Sequence, residues 1–125
     1  MASRVTTVVV DCRDAEALAA FWCAVLGYEV VERSDEGWVE IGPPGQPEKG
    51  PVPTLLLQNV ADPTRGKNRL HLDLNATDRD QAAELDRLLG LGARPVDIGQ
   101  GAVSWHVLAD PEGNEFCLLR STVDP

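Results

Sequence analysis

Alternation of apolar and polar residues is clearest over Lys67–Asn75 (K-N-R-L-H-L-D-L-N). Leu70, Leu72 and Leu74 fall on one side of an extended chain. Lys67, Arg69, His71, Asp73 and Asn75 fall on the other, because successive strand side chains point to opposite faces. The pattern predicts a strand with an apolar backing and a polar row that faces either solvent or a cavity. Residues Val5–Cys12 are rich in β-branched side chains and predict an earlier strand. Asp14 then suits a helix N-cap, and Leu18, Phe21, Trp22 and Val25 fall on one helical face, with Gly27 as the stop. Tyr28–Arg33 and Gly37–Ile41 predict short strands joined at Ser34-Asp35-Glu36. Gly42–Pro53 is dominated by proline and glycine and predicts a loop. Thr54–Val60 predicts a strand, and Ala61–Gly66 a second loop. Beyond the alternating stretch, Asp78 suits the start of a helix, with Gln81 completing a capping box and Ala82, Leu85, Leu88 and Leu89 as its apolar face. Gly90 and Gly92 end it. Arg94–Ile98 and Val103–Leu108 predict strands, Asp110–Asn114 a tight turn, and Glu115–Arg120 the last strand.

The order is strand, helix, three strands, and then the same again. Asp14 and Asp78 lie 64 residues apart, Gly27 and Gly92 lie 65 apart, and Trp38 and Trp105 lie 67 apart. A period this long marks two copies of a βαβββ module, not a solenoid. The expected fold is α+β: one domain over residues 1–125, with module one at about 4–60 and module two at about 67–121. The modules would form a cupped, mostly antiparallel eight-stranded sheet with the helices on its outer face. A concave face of that kind suits a small-molecule pocket.

Composition narrows the function. The chain has 125 residues, 43% apolar and 25% charged, as an ordinary globular domain does. No apolar run reaches the roughly 20 residues of a membrane span. The start, M-A-S-R-V-T-T, lacks the apolar stretch of a signal peptide, so the expected compartment is the cytoplasm. Cys12, Cys23 and Cys117 are odd in number and widely spaced, which argues against a disulfide framework or a structural zinc site. A net charge of −9 argues against nucleic acid and against an anionic membrane surface. It is compatible with a cationic ligand, or simply with an acidic surface that aids solubility.

Three stretches carry a resemblance: Asp14–Tyr28 (D-A-E-A-L-A-A-F-W-C-A-V-L-G-Y), His71–Leu74 (H-L-D-L) and Trp105–Leu119 (W-H-V-L-A-D-P-E-G-N-E-F-C-L-L). Together they resemble the glyoxalase / bleomycin-resistance / extradiol-dioxygenase (vicinal oxygen chelate) superfamily, and within it a glyoxalase-like actinobacterial branch. The D-P-x-G-N turn before the last strand is the most specific feature. In metal-using members, four cup-facing positions supply ligands. The resemblance puts Thr7, Gln58, His71 and Cys117 at those positions, with both usual carboxylates missing. A hard divalent ion prefers oxygen donors, and this set offers one imidazole, one thiol, one amide and one hydroxyl. The resemblance therefore implies no metal or other cofactor, with a divalent metal as the lesser alternative. Glu115 shares Cys117's side of the last strand and would serve only with a shifted register.

The individual residues keep competing readings. His71 suits a ligand contact or an acid/base role, and equally a structural histidine bonded to Asp73 or Arg69. Lys67 and Arg69 share its side; they either hold an anionic group or pair with Asp73 and surface carboxylates. Trp105 and His106 must face opposite sides, and Trp105 is either core or an aromatic wall for a ligand. Trp38 has the same two readings, whereas Trp22 belongs to the core. Cys117 is a nucleophile only if a positive group lowers its pKa, and otherwise a buried thiol. The expected function is a small-molecule-binding protein of the glyoxalase/bleomycin-resistance type without a catalytic metal. Its ligand-binding residues would be Thr7, Gln58, Arg69, His71, Asp73, Trp105 and Cys117, and a homodimer is the expected assembly. The alternative is a glyoxalase-type lyase, isomerase or dioxygenase using His71 as ligand or general base.

Overall fold

The computed structural model describes residues 2–63 and 66–125. The loop expected over 61–66 therefore includes Thr64 and Arg65, which lie outside the described residues, as does Met1. The order of elements is β1 (Thr7–Cys12), α1 (Ala15–Leu26), β2 (Glu29–Arg33), β3 (Trp38–Gly42), β4 (Thr54–Asn59), β5 (Leu72–Leu74), α2 (Gln81–Leu91), β6 (Arg94–Pro95), β7 (His106–Ala109) and β8 (Glu115–Leu118). The fold is α+β and consists of two βαβββ modules. The chain divides into two units, 1–65 and 66–125. No helix among the described residues is long and apolar enough to cross a membrane.

In the first unit the strand order is β1-β4-β3-β2. β1 runs parallel to β4, and the other pairs are antiparallel. Helix α1 forms where expected. The Asp14 side chain accepts from Ala17 N, and Gly27 closes the helix in the left-handed region at φ 69°, a conformation that costs glycine little. Leu18, Phe21, Trp22 and Val25 are all buried, and Trp22 meets Phe21 edge-to-face at 5.2 Å. The helix packs on β3 and β4, whose Val39, Ile41, Leu55 and Leu57 are buried in the same core. The opposite face of this sheet carries Thr7, Asp11, Trp38, Glu40, Thr54 and Gln58, as strand alternation requires.

The second unit repeats the scheme with the order β5-β8-β7-β6, again one parallel pair (β5 with β8) and two antiparallel ones. Its apolar face holds Leu72 and Leu74 with the fully buried Leu108, Phe116 and Leu118. Four expectations shift here. First, the alternating stretch is a strand only over Leu72–Leu74, and Leu70 is 85% exposed instead of backing the core. The hydrogen-bonded ladder with β8 begins at Leu72, so residues before it are not held in its pleat. Second, helix α2 is capped by Asp80, which accepts from Ala83 N, and not by Asp78, which pairs with Arg79. The Gln81 side chain does not close a capping box; it donates to the Ser104 and Leu118 carbonyls. Third, the helix buries Leu88 and Glu84, while Ala82 and Leu89 are exposed. Glu84 stays ionically matched because Arg87 binds both of its oxygens at 2.7 Å. Fourth, the strands expected at Arg94–Ile98 and Glu115–Arg120 shorten to Arg94–Pro95 and Glu115–Leu118, and the one expected at Val103–Leu108 shifts to His106–Ala109.

Candidate ligand site on the second sheet

The turn that closes β7 onto β8 fixes the second unit's polar face. Asp110 is fully buried. Its carboxylate accepts from the Glu112 and Asn114 backbone N–H groups, each at 2.9 Å, and from the Asn114 amide at 2.9 Å. Gly113 sits at φ 88°, where any other residue would be strained. Asn114 in turn accepts from the Asn68 amide at 2.9 Å, and Lys67 donates to Glu115 at 2.5 Å. The turn over Asp110–Asn114 thus holds Asn114 in place, and two side-chain contacts, Asn68 to Asn114 and Lys67 to Glu115, tie the segment before β5 to the start of β8.

That tie leaves β5 beside β8 in a parallel register that places Asp73 opposite Cys117. Val107 lies opposite Cys117 on the other side. His71 precedes Asp73 by two residues. Its Nε2 stands 3.2 Å from Asp73 Oδ1. The ligand atoms of His71, Asp73 and Cys117 all lie within 4.8 Å of one another. Cys117 forms a buried floor, while the His71 and Asp73 side chains are 56% and 51% exposed. Burial pushes the Cys117 thiol up from its ordinary pKa. The neighbouring Asp73 charge, a hydrogen bond to Asp73 and the Glu115 charge push the same way, against a smaller opposing effect of Lys67. Asp73 is therefore the hub: one carboxylate next to both a thiol and an imidazole.

The remaining candidates are spread more widely. Trp105 lies one residue before β7 and is 39% exposed, and Arg69 is exposed. Half-buried His106 lies opposite Leu118, on the apolar side of the ladder. Lys67 pairs with Glu115 and not with Asp73. Thr7 and Gln58 lie in the first unit and are not brought together. Thr7 is opposite Thr54 and shares a 3.1 Å hydroxyl contact with it, while Gln58 is opposite Asp11 and donates to it at 3.3 Å. Four residues of strand separate those two levels, about 13 Å at the usual rise. The ladders explain the offset. Ile41 faces Leu55 as Leu108 faces Phe116, so the counterpart of Cys117 is Leu56, and Gln58 lies two positions further on.

What this donor set suits follows from its chemistry. Hard ions such as Mg²⁺ or Mn²⁺ want several oxygen donors. The second sheet's polar face offers Asp73, while Glu115 is engaged by Lys67. A hard, oxygen-coordinated ion does not fit these residues. An N/O/S trio fits softer, thiol-binding chemistry instead. Sequence reasoning named all three residues and offered Asp73 as a partner of His71; it missed that Asp73 also meets Cys117, which the pairing of β5 with β8 decides.

Comparison with known proteins agrees with the fold. A glyoxalase/bleomycin resistance protein/dioxygenase family enzyme from Burkholderia phytofirmans PsJN superposes with a TM-score of 0.68 at 18% identity, covering 93% of this chain and 97% of that one. The E126Q mutant of the fosfomycin resistance protein FosX from Listeria monocytogenes, complexed with manganese(II) and 1S,2S-dihydroxypropylphosphonic acid, gives 0.70 at 15% identity, covering 98% and 94%. A glyoxalase-related enzyme from Fulvimarina pelagi gives 0.63 at 16% identity, covering 94% and 87%. At these identities the likeness establishes the fold alone. No curated protein is matched. The sequence of residues 7–119 matches the glyoxalase-like domain, and the chain belongs to that family.

Proposed function

We propose that the chain binds a small molecule on the polar face of its second sheet, without the oxygen-rich centre of a hard divalent ion. The observation that supports this reading is the convergence of His71, Asp73 and Cys117 beside the neutralising Lys67–Glu115 pair. With Glu115 matched by Lys67, Asp73 is the exposed anionic acceptor of the face, and partly exposed Trp105 offers an aromatic surface on the same chain segment as β7. A cationic aromatic compound answers both groups. We place the protein in the cytoplasm, as a homodimer of the glyoxalase-like actinobacterial type. The test is a thermal-shift and calorimetric screen of cationic aromatic compounds, with bleomycin included and the anionic, non-aromatic fosfomycin as the contrast. A binder should raise the midpoint in the parent protein and lose at least tenfold in affinity in Asp73→Asn. A screen that finds no binder, alongside measurable turnover of a candidate substrate, defeats the reading.

A second reading has its own observation. His71 beside a carboxylate at 3.2 Å is the arrangement of an oriented acid/base imidazole. A glyoxalase-type lyase or isomerase using it would lose turnover in His71→Ala with its circular dichroism and melting midpoint retained. Turnover that survives that substitution removes this alternative.

A further inference from the structure

We infer that the polar face of the first sheet carries a separate binding site for a primary alkylammonium or alkylguanidinium ion, held by Glu40 and selected by its N–H donors. The site lies wholly within the first unit and does not rest on the small-molecule reading of the second sheet. Proton accounting at Thr54 carries it. The Thr54 hydroxyl lies 2.6 Å from Glu40 Oε2, 3.1 Å from Thr7 Oγ1 and 3.4 Å from the Thr6 carbonyl. A hydroxyl has one proton to give. At 2.6 Å, the length of a hydroxyl donating to a carboxylate, that proton goes to Glu40. Thr7 is then the donor in its own contact with Thr54. Both hydroxyl protons are spent inward, along the chain from Thr7 to Thr54 to Glu40. What remains for a ligand is lone pairs, on Thr7 and on the second Glu40 oxygen. Gln58 adds to the pattern, because its amide donates to Asp11 at 3.3 Å. Gly42 protects the pose: a Cβ there would stand 2.9 Å from the Thr54 methyl group, so a larger residue would turn Thr54 away from Glu40.

Charge and apolar surface narrow the class of donor. Glu32 lies directly opposite Glu40 across the β2–β3 ladder. Like charges so placed destabilise a sheet. Neither carboxylate has a cationic partner among the described residues. Arg33, next along β2, lies opposite the buried Val39 and binds Glu16 of α1 on the other side of the sheet. A cation brought by a ligand neutralises the facing pair. In the same row, across β4 and β1, Glu40 is followed by half-buried Leu56 and then by Val9, which is 55% exposed. Adjacent strands lie about 4.8 Å apart, so the row runs about 10 Å from a carboxylate to an exposed valine. A cationic head on Glu40 with a short alkyl chain over Leu56 and Val9 uses both ends. A metal ion would leave the apolar end uncovered, and a quaternary ammonium would leave the acceptors unmet.

The test is amide NMR titration of the full chain, at constant ionic strength, with n-butylammonium, n-butylguanidinium, n-butyltrimethylammonium and Ca²⁺. Expected are saturable shifts at Thr7, Glu40 and Leu56 with the first two ions. n-Butyltrimethylammonium has the same charge and chain but no N–H, and should bind at least tenfold more weakly. Glu40→Gln should remove the saturable shifts. Thr54→Val keeps the shape without the hydroxyl and should narrow the difference between n-butylammonium and n-butyltrimethylammonium. Glu32→Gln, at an exposed position, should raise the melting midpoint without ligand and weaken n-butylammonium binding. No saturable shift in the parent protein, an equal response to n-butyltrimethylammonium or Ca²⁺, or a response that survives Glu40→Gln overturns the site; the parent titration decides the first two whether or not a variant folds. Loss of n-butylammonium binding in Asp73→Asn but not in Glu40→Gln overturns this site and leaves the second-sheet reading standing. Retained n-butylammonium binding with no cationic aromatic binder defeats that reading and leaves this site standing.

Discussion

Replacing Asp110 with alanine tests how far one buried carboxylate holds the candidate site. Asp110 is fully buried, and its carboxylate serves two backbone N–H groups and one side-chain amide, all at 2.9 Å. Hydrogen bonds to a charged group are worth about 1.5–3 kcal/mol each. Glu112 and Asn114 are only half-buried, so water recovers part of the loss. The low end of the range, about 3–5 kcal/mol in total, is the expected cost. A domain of this size has about 5–15 kcal/mol of stability, and its unfolding entropy of roughly 0.26 kcal/mol/K makes each kcal/mol about 4 °C. Asp110→Ala should therefore lower the melting midpoint by roughly 12–20 °C. Asp110→Asn separates acceptor from shape. Its remaining oxygen still accepts both backbone groups, but its amide meets the Asn114 amide, donor against donor. Turning Asn114 over relieves that clash only by presenting an amide to the Asn68 donor. Asparagine should cost about 1–2 kcal/mol. Urea unfolding at constant slope measures both. A loss below about 1 kcal/mol for alanine, or equal losses for the two variants, would refute the assignment of the turn to these hydrogen bonds.

Asp80→Ala should destabilise the protein by about 1 kcal/mol in urea unfolding, the usual value of an N-cap, whereas Asp78→Ala should leave the midpoint unchanged because Asp78 caps nothing. Stability should fall as pH rises above about 8.5, the usual thiol value. Burial raises Cys23, Cys117 and Tyr28, so the unfolded chain releases protons that the folded chain still holds, and unfolding is favoured from the ordinary values up to the raised ones. Cys117→Ser should make that alkaline decline shallower in melting curves taken across the range. Alkylation of Cys117 by iodoacetamide at pH 8, read by peptide mass spectrometry, should be slower than that of the unfolded chain and should quicken in Asp73→Asn, which removes a charge and a hydrogen bond that keep the thiol protonated.

Helix α1 was legible because every local signal agreed: Asp14, the Leu18–Val25 face and Gly27 all point to the same boundaries. Helix α2 was legible as a helix but not at its start. Asp78-Arg79-Asp80 offers two N-caps, and the chain chooses Asp80 where Gln81 can reach the carbonyls of Ser104 and Leu118. Those partners are distant in sequence, so no local pattern carried the choice. Leu70 failed for a related reason. Alternation continues back to Lys67, but pairing with β8 starts at Leu72, and Lys67 and Asn68 are spent on Glu115 and Asn114. A periodic sequence shows which side each residue takes if a strand forms; the partner strand decides how far it forms.

The same distinction accounts for the site. His71 and Cys117 were legible from the repeat and from the turn that precedes the last strand, whereas Gln58 was carried to a position that the ladder gives to Leu56. Counting along the chain fails there because the loop before β4 and the turn before β8 differ in length, while register is set across the sheet. In the sequence Asp73 is a candidate ligand contact and a partner for His71, with nothing to link it to Cys117. It becomes the centre of the cluster only when the parallel pairing of β5 with β8 brings Cys117 to its side. Because backbone hydrogen bonds make that pairing, changing Asp73 to asparagine or Cys117 to serine removes a donor without moving the strands that present the others. Loss of binding in either variant therefore reports on chemistry at these three side chains, whereas loss in Asp110→Ala would report on the strands themselves.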